Sequence, residues 1–101
     1  MAHPTPTPGG PVHRRGPLIC PTPEAARIVR RHLPRHLRLT RAEPGCLAYD
    51  VTPTDDPLVW RGEERFADRA AFDAHQARTR ASAWGRATAG IARDDIVTGQ
   101  G

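Results

Sequence analysis

The chain has 101 residues and a formal net charge of +4 at pH 7, with arginine as the sole basic residue besides histidine and no lysine or asparagine anywhere. That length suits one domain, and the absence of an apolar run of about 18 residues argues against a membrane-spanning helix. The positive excess is modest, acidic residues are interspersed from Glu43 onward, and no nucleic-acid motif accompanies the arginines, so neither a nucleic acid nor a membrane is an expected partner.

Residues 1–11 are rich in Pro, Thr and Gly and carry too little apolar surface to offset ordering entropy, so a disordered tail is expected there and a single domain over residues 12–101. The first residues lack the apolar core of a signal peptide, and Cys20 and Cys46 are too few for a disulfide framework; a cytoplasmic protein with two free thiols is the expectation. A body of about 85–90 residues buries only roughly 60% of its unfolded surface. Help from a second copy is therefore expected.

Taken in order, Leu18-Ile19-Cys20 marks a first strand within Val12–Cys20, and Pro17, which lacks a ladder donor, is expected to set its start. Thr22 reads as an N-cap, with Pro23 at the first helical position and Glu24 in the first turn. The helix is predicted from Pro23 to about Ala42. Ala26, Val29, Leu33, Leu37 and Thr40 form its buried stripe, and Arg27, Arg31, Arg35 and Arg38 a separate solvated face. Pro34 sits mid-helix, where its ring clashes with the carbonyl four residues back and predicts a kink. His32 and His36 stand one turn apart, a spacing that suits a metal. No third ligand accompanies them, so they read as a solvated pair and no metal is expected.

Glu43-Pro44-Gly45 is a turn. Cys46–Thr52 reads as a strand with Leu47, Tyr49 and Val51 on one face, and Pro53–Pro57 as a hairpin loop. Leu58–Phe66 returns with Trp60, Gly62, Glu64 and Phe66 on one face and Val59, Arg61, Glu63 and Arg65 on the other. Asp68 caps a helix through roughly Ala77 that carries Ala71, Phe72 and His75 along one side. A further helical stretch is predicted over Arg80–Ile91, weakened by Gly85 and Gly90, and a last strand over Asp95–Thr98. The order β-α-β-β-α-β is that of an α+β, ferredoxin-like fold, an antiparallel sheet with helices on one face. The other face needs cover, which two copies packed face to face provide.

The chemistry-bearing residues cluster in the second half. His75 projects from a helix toward the sheet, and an imidazole with an unperturbed pKa of about 6.5 suits proton transfer near neutrality; it equally suits a half-buried histidine donating to Glu64 to stitch helix to strand. Glu64 shares a face with Trp60 and Phe66 and must be paired if that face is inward. It either orients His75 or holds a substrate hydroxyl, or it forms an ion pair with Arg80 or Arg86. Trp60, Tyr49, Phe66, Phe72 and Trp84 offer flat walls for a planar ligand, and they are also what a small core requires. The candidate catalytic set is thus His75, Glu64 and Trp60, and the candidate substrate-binding set Tyr49, Phe66, Phe72, Trp84 and Arg80, with His75 and Trp60 expected to point into one hollow.

The run Glu43-Pro44-Gly45-Cys46-Leu47-x-Tyr49, Asp56-Pro57 before a strand, Glu64-x-Phe66 and Ala71-Phe72-x-Ala74-His75 resembles the antibiotic biosynthesis monooxygenase family, over about Leu18 to Thr98. The resemblance implies a dimeric α+β barrel built from two ferredoxin-like subunits. It also implies a reaction without cofactor, in which dioxygen oxidises a dihydroxylated aromatic polyketide to a quinone. A related branch degrades haem with an Asn, a Trp and a His ligand; this chain has no Asn, and Gly85 falls where that His would lie. The polyketide oxygenases likewise use an Asn and a Trp, and Trp60 matches the second of these. The expectation is a homodimeric, cofactor-independent monooxygenase of a small phenolic, quinol or polyketide-type aromatic. The alternatives are a cofactor-free cyclase, isomerase or decarboxylase on a similar intermediate, or a non-catalytic accessory dimer that binds a small aromatic.

Overall fold

A computed structural model describes residues 10–99; the tail expected at residues 1–11 falls, for its first nine residues, outside them. The elements are β1 (Val12–Ile19), α1 (Pro23–Arg41), β2 (Cys46–Pro53), β3 (Val59–Phe66), α2 (Arg69–Ala81), α3 (Ala83–Ala87), β4 (Ala92–Arg93) and β5 (Ile96–Thr98). The strands form one five-stranded sheet in the order β2-β3-β1-β4, with β5 also paired to β1. Every pairing is antiparallel. This is the ferredoxin-like α+β arrangement, with the closing strand in two pieces. No helix among the described residues is long and apolar enough to cross a membrane.

The split of the last strand has a local cause. β4 pairs Arg93 with Leu18 and β5 pairs Ile96 with Arg15, so Asp94 and Asp95 lie opposite Gly16 and Pro17. The Pro17 carbonyl accepts from the Asp94 amide at 3.3 Å, but Pro17 has no N–H to return the bond. Gly16 admits the close approach, since a Cβ there would lie 2.5 Å from the Asp94 carbonyl oxygen. Pro17 therefore interrupts the partner strand rather than starting its own, and β1 begins at Val12.

Three further expectations are corrected. α2 extends to Ala81 and then breaks at Ser82, whose backbone is extended; the Ser82 hydroxyl accepts from the Gly85 amide at 3.1 Å and caps the short α3. The stretch predicted as helix over Arg80–Ile91 is thus the end of one helix and a single short one. A bulge between Cys46 and Ala48 throws Leu47 out of line with Tyr49 and Val51, leaving it 54% exposed while they are buried. On α1, His36 lies on the buried stripe with Val29, Leu33 and Thr40 and is not solvated; its three- and four-residue offsets from Leu33 and Thr40 place it there.

β3 alternates cleanly: Trp60, Gly62, Glu64 and Phe66 are buried toward the helices, and Arg61, Glu63 and Arg65 are exposed on the outer face. α1 runs without interruption through Pro34 from its Thr22 cap, whose hydroxyl accepts from the Ala25 amide at 3.1 Å. Between sheet and helices, Leu18, Cys20, Ala26, Val29, Leu33, Tyr49, Val51, Trp60 and Trp84 form the main apolar cluster. Val12, Phe66 and Phe72 form a smaller one beyond it.

Candidate functional site

Four segments deliver polar groups to the layer between sheet and helices. The last two turns of α1 supply His36 and Thr40, and the turn after it supplies Glu43. β2 and β3 supply Tyr49 and Glu64 from opposed positions in register. α2 supplies His75, Arg78 and Thr79, which helical geometry sets on adjoining parts of one face. Gly45 brings the Glu43 turn against α2. It has φ +84°, and a Cβ there would lie 2.6 Å from the Ala71 Cβ, so only glycine fits.

His75 is the hub. Its Nδ1 lies 2.8 Å from Glu43 Oε1, while Nε2 lies 3.4 Å from Thr79 Oγ1 and 3.8 Å from Glu64 Oε1. A carboxylate only accepts, so Nδ1 carries the proton and Nε2 offers its lone pair. Burial is the main influence on the ring and pushes its pKa down, against the upward pull of Glu64 and Glu43. The imidazole is accordingly neutral near pH 7 and able to take a proton. Glu43 also accepts from Arg78 Nε, and Arg78 Nη2 donates to Thr40 Oγ1 at 2.9 Å.

Glu64 is 1% exposed, and its counter-charges are Arg14, at 3.0 Å, and Arg93, at 3.9 Å. Arg93 in turn meets Asp95 at 2.9 Å. The ion pair expected with Arg80 or Arg86 is not formed. Arg80, five residues past His75, turns to the exposed side of α2, and Arg86 Nη1 donates to the Ala81 carbonyl at 2.8 Å.

Beside this hub, His36 Nε2 lies 2.8 Å from the Tyr49 hydroxyl, and the His36 ring stacks on Trp84 at 4.5 Å between centroids and 5° between planes. Burial first, then repulsion from His75 when that ring is protonated and from Arg78 and Arg93, pushes the His36 pKa down to about 3. Burial first and Glu64 next push the Tyr49 phenol up. Tyr49 and Phe66 stand against the His75 ring at 5.4 and 4.9 Å. Phe72 packs edge-on to Phe66 at 6.0 Å, with Arg14 5.4 Å above its own ring.

Two hollows open on the helix side. One, of about 580 Å³, runs between the Glu43 turn and α2 and is lined by Glu43, Gly45, Ala71, Ala74, His75 and Arg78. The other, of about 470 Å³, runs between α1 and the α2–α3 corner, with His36, Arg78 and Trp84 among its walls. The structure therefore brings Glu64, His75, Tyr49, Phe66 and Phe72 into one neighbourhood, with Trp84 one ring further out behind His36. Trp60 it keeps apart. That ring belongs to the cluster with Leu18, Ala26 and Val29, beneath Arg30 at 5.6 Å, and Trp60 borders a depression on the far side of the sheet with Arg15, Arg61 and Ile96. None of the hollows described here is lined by both His75 and Trp60.

Sequence reasoning passed over Glu43, His36, Arg14, Arg78 and Arg93 as site residues. The spacing of His36 with Leu33 and Thr40 carried the signal for its burial. Glu43 lies 32 residues from His75, and no local pattern announces such a pairing.

The sequence model of the antibiotic biosynthesis monooxygenase family matches residues 18–87, which carry the side chains of this cluster except Arg14 and Arg93. The chain belongs to the antibiotic biosynthesis monooxygenase family. Solved structures agree on the fold. Rv0793 of Mycobacterium tuberculosis is 28% identical, with a TM-score of 0.64 over 90% of this chain and 93% of that one. A solved antibiotic biosynthesis monooxygenase is 27% identical, with a TM-score of 0.64 over 89% of this chain and 96% of its own. A candidate antibiotic biosynthesis monooxygenase of Bacteroides thetaiotaomicron is 22% identical, with a TM-score of 0.74 and 87% coverage of each chain. Among curated proteins no relative matches the sequence.

Proposed function

We propose that this family member is a cofactor-independent monooxygenase that oxidises a small planar phenolic or quinol compound with dioxygen. The observation that carries the reading is the Glu43–His75 pair, in which the carboxylate holds Nδ1–H and leaves Nε2 as a base inside a buried layer. In such a reaction the substrate itself must supply the electrons, so the protein's task is to remove a phenolic proton, stabilise the anion and exclude water. His75 Nε2 takes the proton. The imidazolium that results stands between Glu43 and Glu64, whose charges stabilise it in a poorly solvated setting. The anion then passes electrons to dioxygen. One oxygen atom is bonded to a ring carbon, as the new quinone carbonyl where the substrate is a phenol or as a ring hydroxyl where it is a quinol, and the other leaves as water with the two hydrogens the substrate loses, including the one His75 held. Tyr49, Phe66 and Phe72 form the flat surroundings of the base. Glu43, in this reading, positions His75 and does not touch the substrate.

Pairing of two copies through the outer sheet face completes the proposal. Ile19, Leu47 and Ile96 are exposed by 42%, 54% and 58%, and a second copy packed against the sheet would cover Ile19 and Ile96.

The test is an oxygen-electrode assay of the purified, metal-free protein with a naphthoquinol. The expected result is a hydroxynaphthoquinone carrying one oxygen atom from dioxygen, with one dioxygen consumed per product molecule above the spontaneous rate and no hydrogen peroxide; plain naphthoquinone with an equivalent of peroxide would overturn the oxygenase in favour of a quinol oxidase. Product formed without oxygen uptake would overturn the oxygenase and leave an isomerase or cyclase using the same base. No product under air, with the compound nevertheless bound, would indicate an accessory binding protein.

A further inference from the structure

The hollow between α1 and the α2–α3 corner has no part in the chemistry proposed above, and its lining is one-sided. Arg35, Arg78 and Arg86 enter it from three different helices, together with His32 and His36, and neither aspartate nor glutamate is among its walls. Its apolar surface comes from Leu39, Ala81, Ala83 and Trp84. Arg78 is already spent on Glu43 and Thr40, but Arg35 has no acidic partner among the described residues.

A second observation points the same way. His36 is 2% exposed, and its Nδ1 has no hydrogen-bond partner. The depressed pKa keeps the ring neutral, so it carries one N–H. The Tyr49 hydroxyl lies 2.8 Å from Nε2, and that nitrogen is the one acceptor it meets. The phenol therefore donates to Nε2, which puts the proton on Nδ1. A buried N–H without an acceptor forfeits its hydration with nothing in return, and it lies in a wall furnished otherwise with cations. What the hollow lacks is an anionic acceptor.

We propose that this hollow is a binding site for a small aromatic carboxylic acid, its carboxylate taken by His36 Nδ1–H and the Arg35 and Arg86 guanidinium groups, and its flat body laid along Leu39, Ala83 and the Trp84 edge. The ligand enters from the helix side, apart from the hollow that His75 lines. Its binding does not depend on the oxygen chemistry.

The experiment is calorimetric titration of the full chain with naphthoate and with naphthamide, which differ in charge and little in shape. Naphthoate is expected to bind saturably and at least about tenfold more tightly than naphthamide. Arg35, Ala83 and Arg86 are exposed, so their variants are expected to fold. The double variant Arg35→Gln/Arg86→Gln should weaken naphthoate by about tenfold, and Ala83→Glu, which sets a like charge in the wall, by more. Ala70→Glu, beside the His75 hollow, should change nothing. On binding, the Nδ1 proton of His36 should shift in nitrogen-resolved NMR. Equal affinity for the amide, indifference to Ala83→Glu, or no saturable binding of naphthoate at millimolar concentration would overturn the assignment. So would a loss of binding in Ala70→Glu, which would move the acid to the other hollow.

Discussion

The layer between sheet and helices has two dissimilar ends. Toward the start of α1 it is apolar, with Leu18, Cys20, Ala26, Val29, Val51 and Trp60 packed together. Toward the end of the same helix it holds His36, Thr40, Glu64 and His75, all buried and all polar. One fold and one pair of secondary-structure layers produce both. Burial of apolar surface stabilises the first end at about 25 cal/mol per Å². Each polar group in the second costs desolvation unless it finds a partner, and Glu64 needs cations from both β1 and β4 to sit there at all. A marginal domain of this size gains nothing in stability from such an end, which is why the chemistry is assigned to it and the apolar end is read as scaffold.

The comparison can be broken from either side. Trp60→Ala should cost about 4 kcal/mol of stability, as truncation of a large buried aromatic does, while any variant molecules that remain folded keep the wild-type turnover per site. A specific loss of turnover with stability intact would transfer Trp60 to the site. Glu64→Gln should cost about 3 kcal/mol, because it removes the buried carboxylate that Arg14 and Arg93 share and leaves them Asp95 alone. Urea titration measures both, and a near-neutral Glu64→Gln would mean that the ionic network contributes little.

A smaller effect follows from His36. In the unfolded chain its imidazole takes a proton as the pH falls below about 6.5, but in the folded protein not until about 3. Across that window the unfolded state holds the extra proton, so folding stability falls as the pH falls, by up to about 1.4 kcal/mol per pH unit for this group. The depressed pKa of His75 adds in the same sense. His36→Leu should flatten the acid limb of a stability-versus-pH curve, and an unchanged slope would show that His36 is protonated in the folded state.

The same contrast between the ends explains what could be read from the residues alone. Helix α1, the β2–β3 hairpin and the inward set Trp60, Gly62, Glu64 and Phe66 follow from periods of 3.6 and 2, which depend only on neighbours in the chain. So does the burial of Glu64 and His75. The partners of those groups do not. Glu43 meets His75 and Arg14 meets Glu64 across 32 and 50 residues, and Arg93 arrives from a strand whose break is set by Pro17 on another strand. Arg80, a candidate on the sequence as an ion-pair partner of Glu64, turns to the exposed side of α2, and the three-residue offset from His75 favours Arg78. Leu47 was placed by strict alternation that the bulge disrupts, and the helix over Arg80–Ile91 by a period that Ser82 interrupts with its own cap.

The central claim is that His75 Nε2 is the base, and the rate of naphthoquinol oxidation by His75→Gln against wild type tests it most directly, with circular dichroism confirming that the variant is folded. The account predicts a fall in kcat of about a hundredfold or more at unchanged stoichiometry of oxygen to quinone. A folded His75→Gln protein that turns over at the wild-type rate would contradict it.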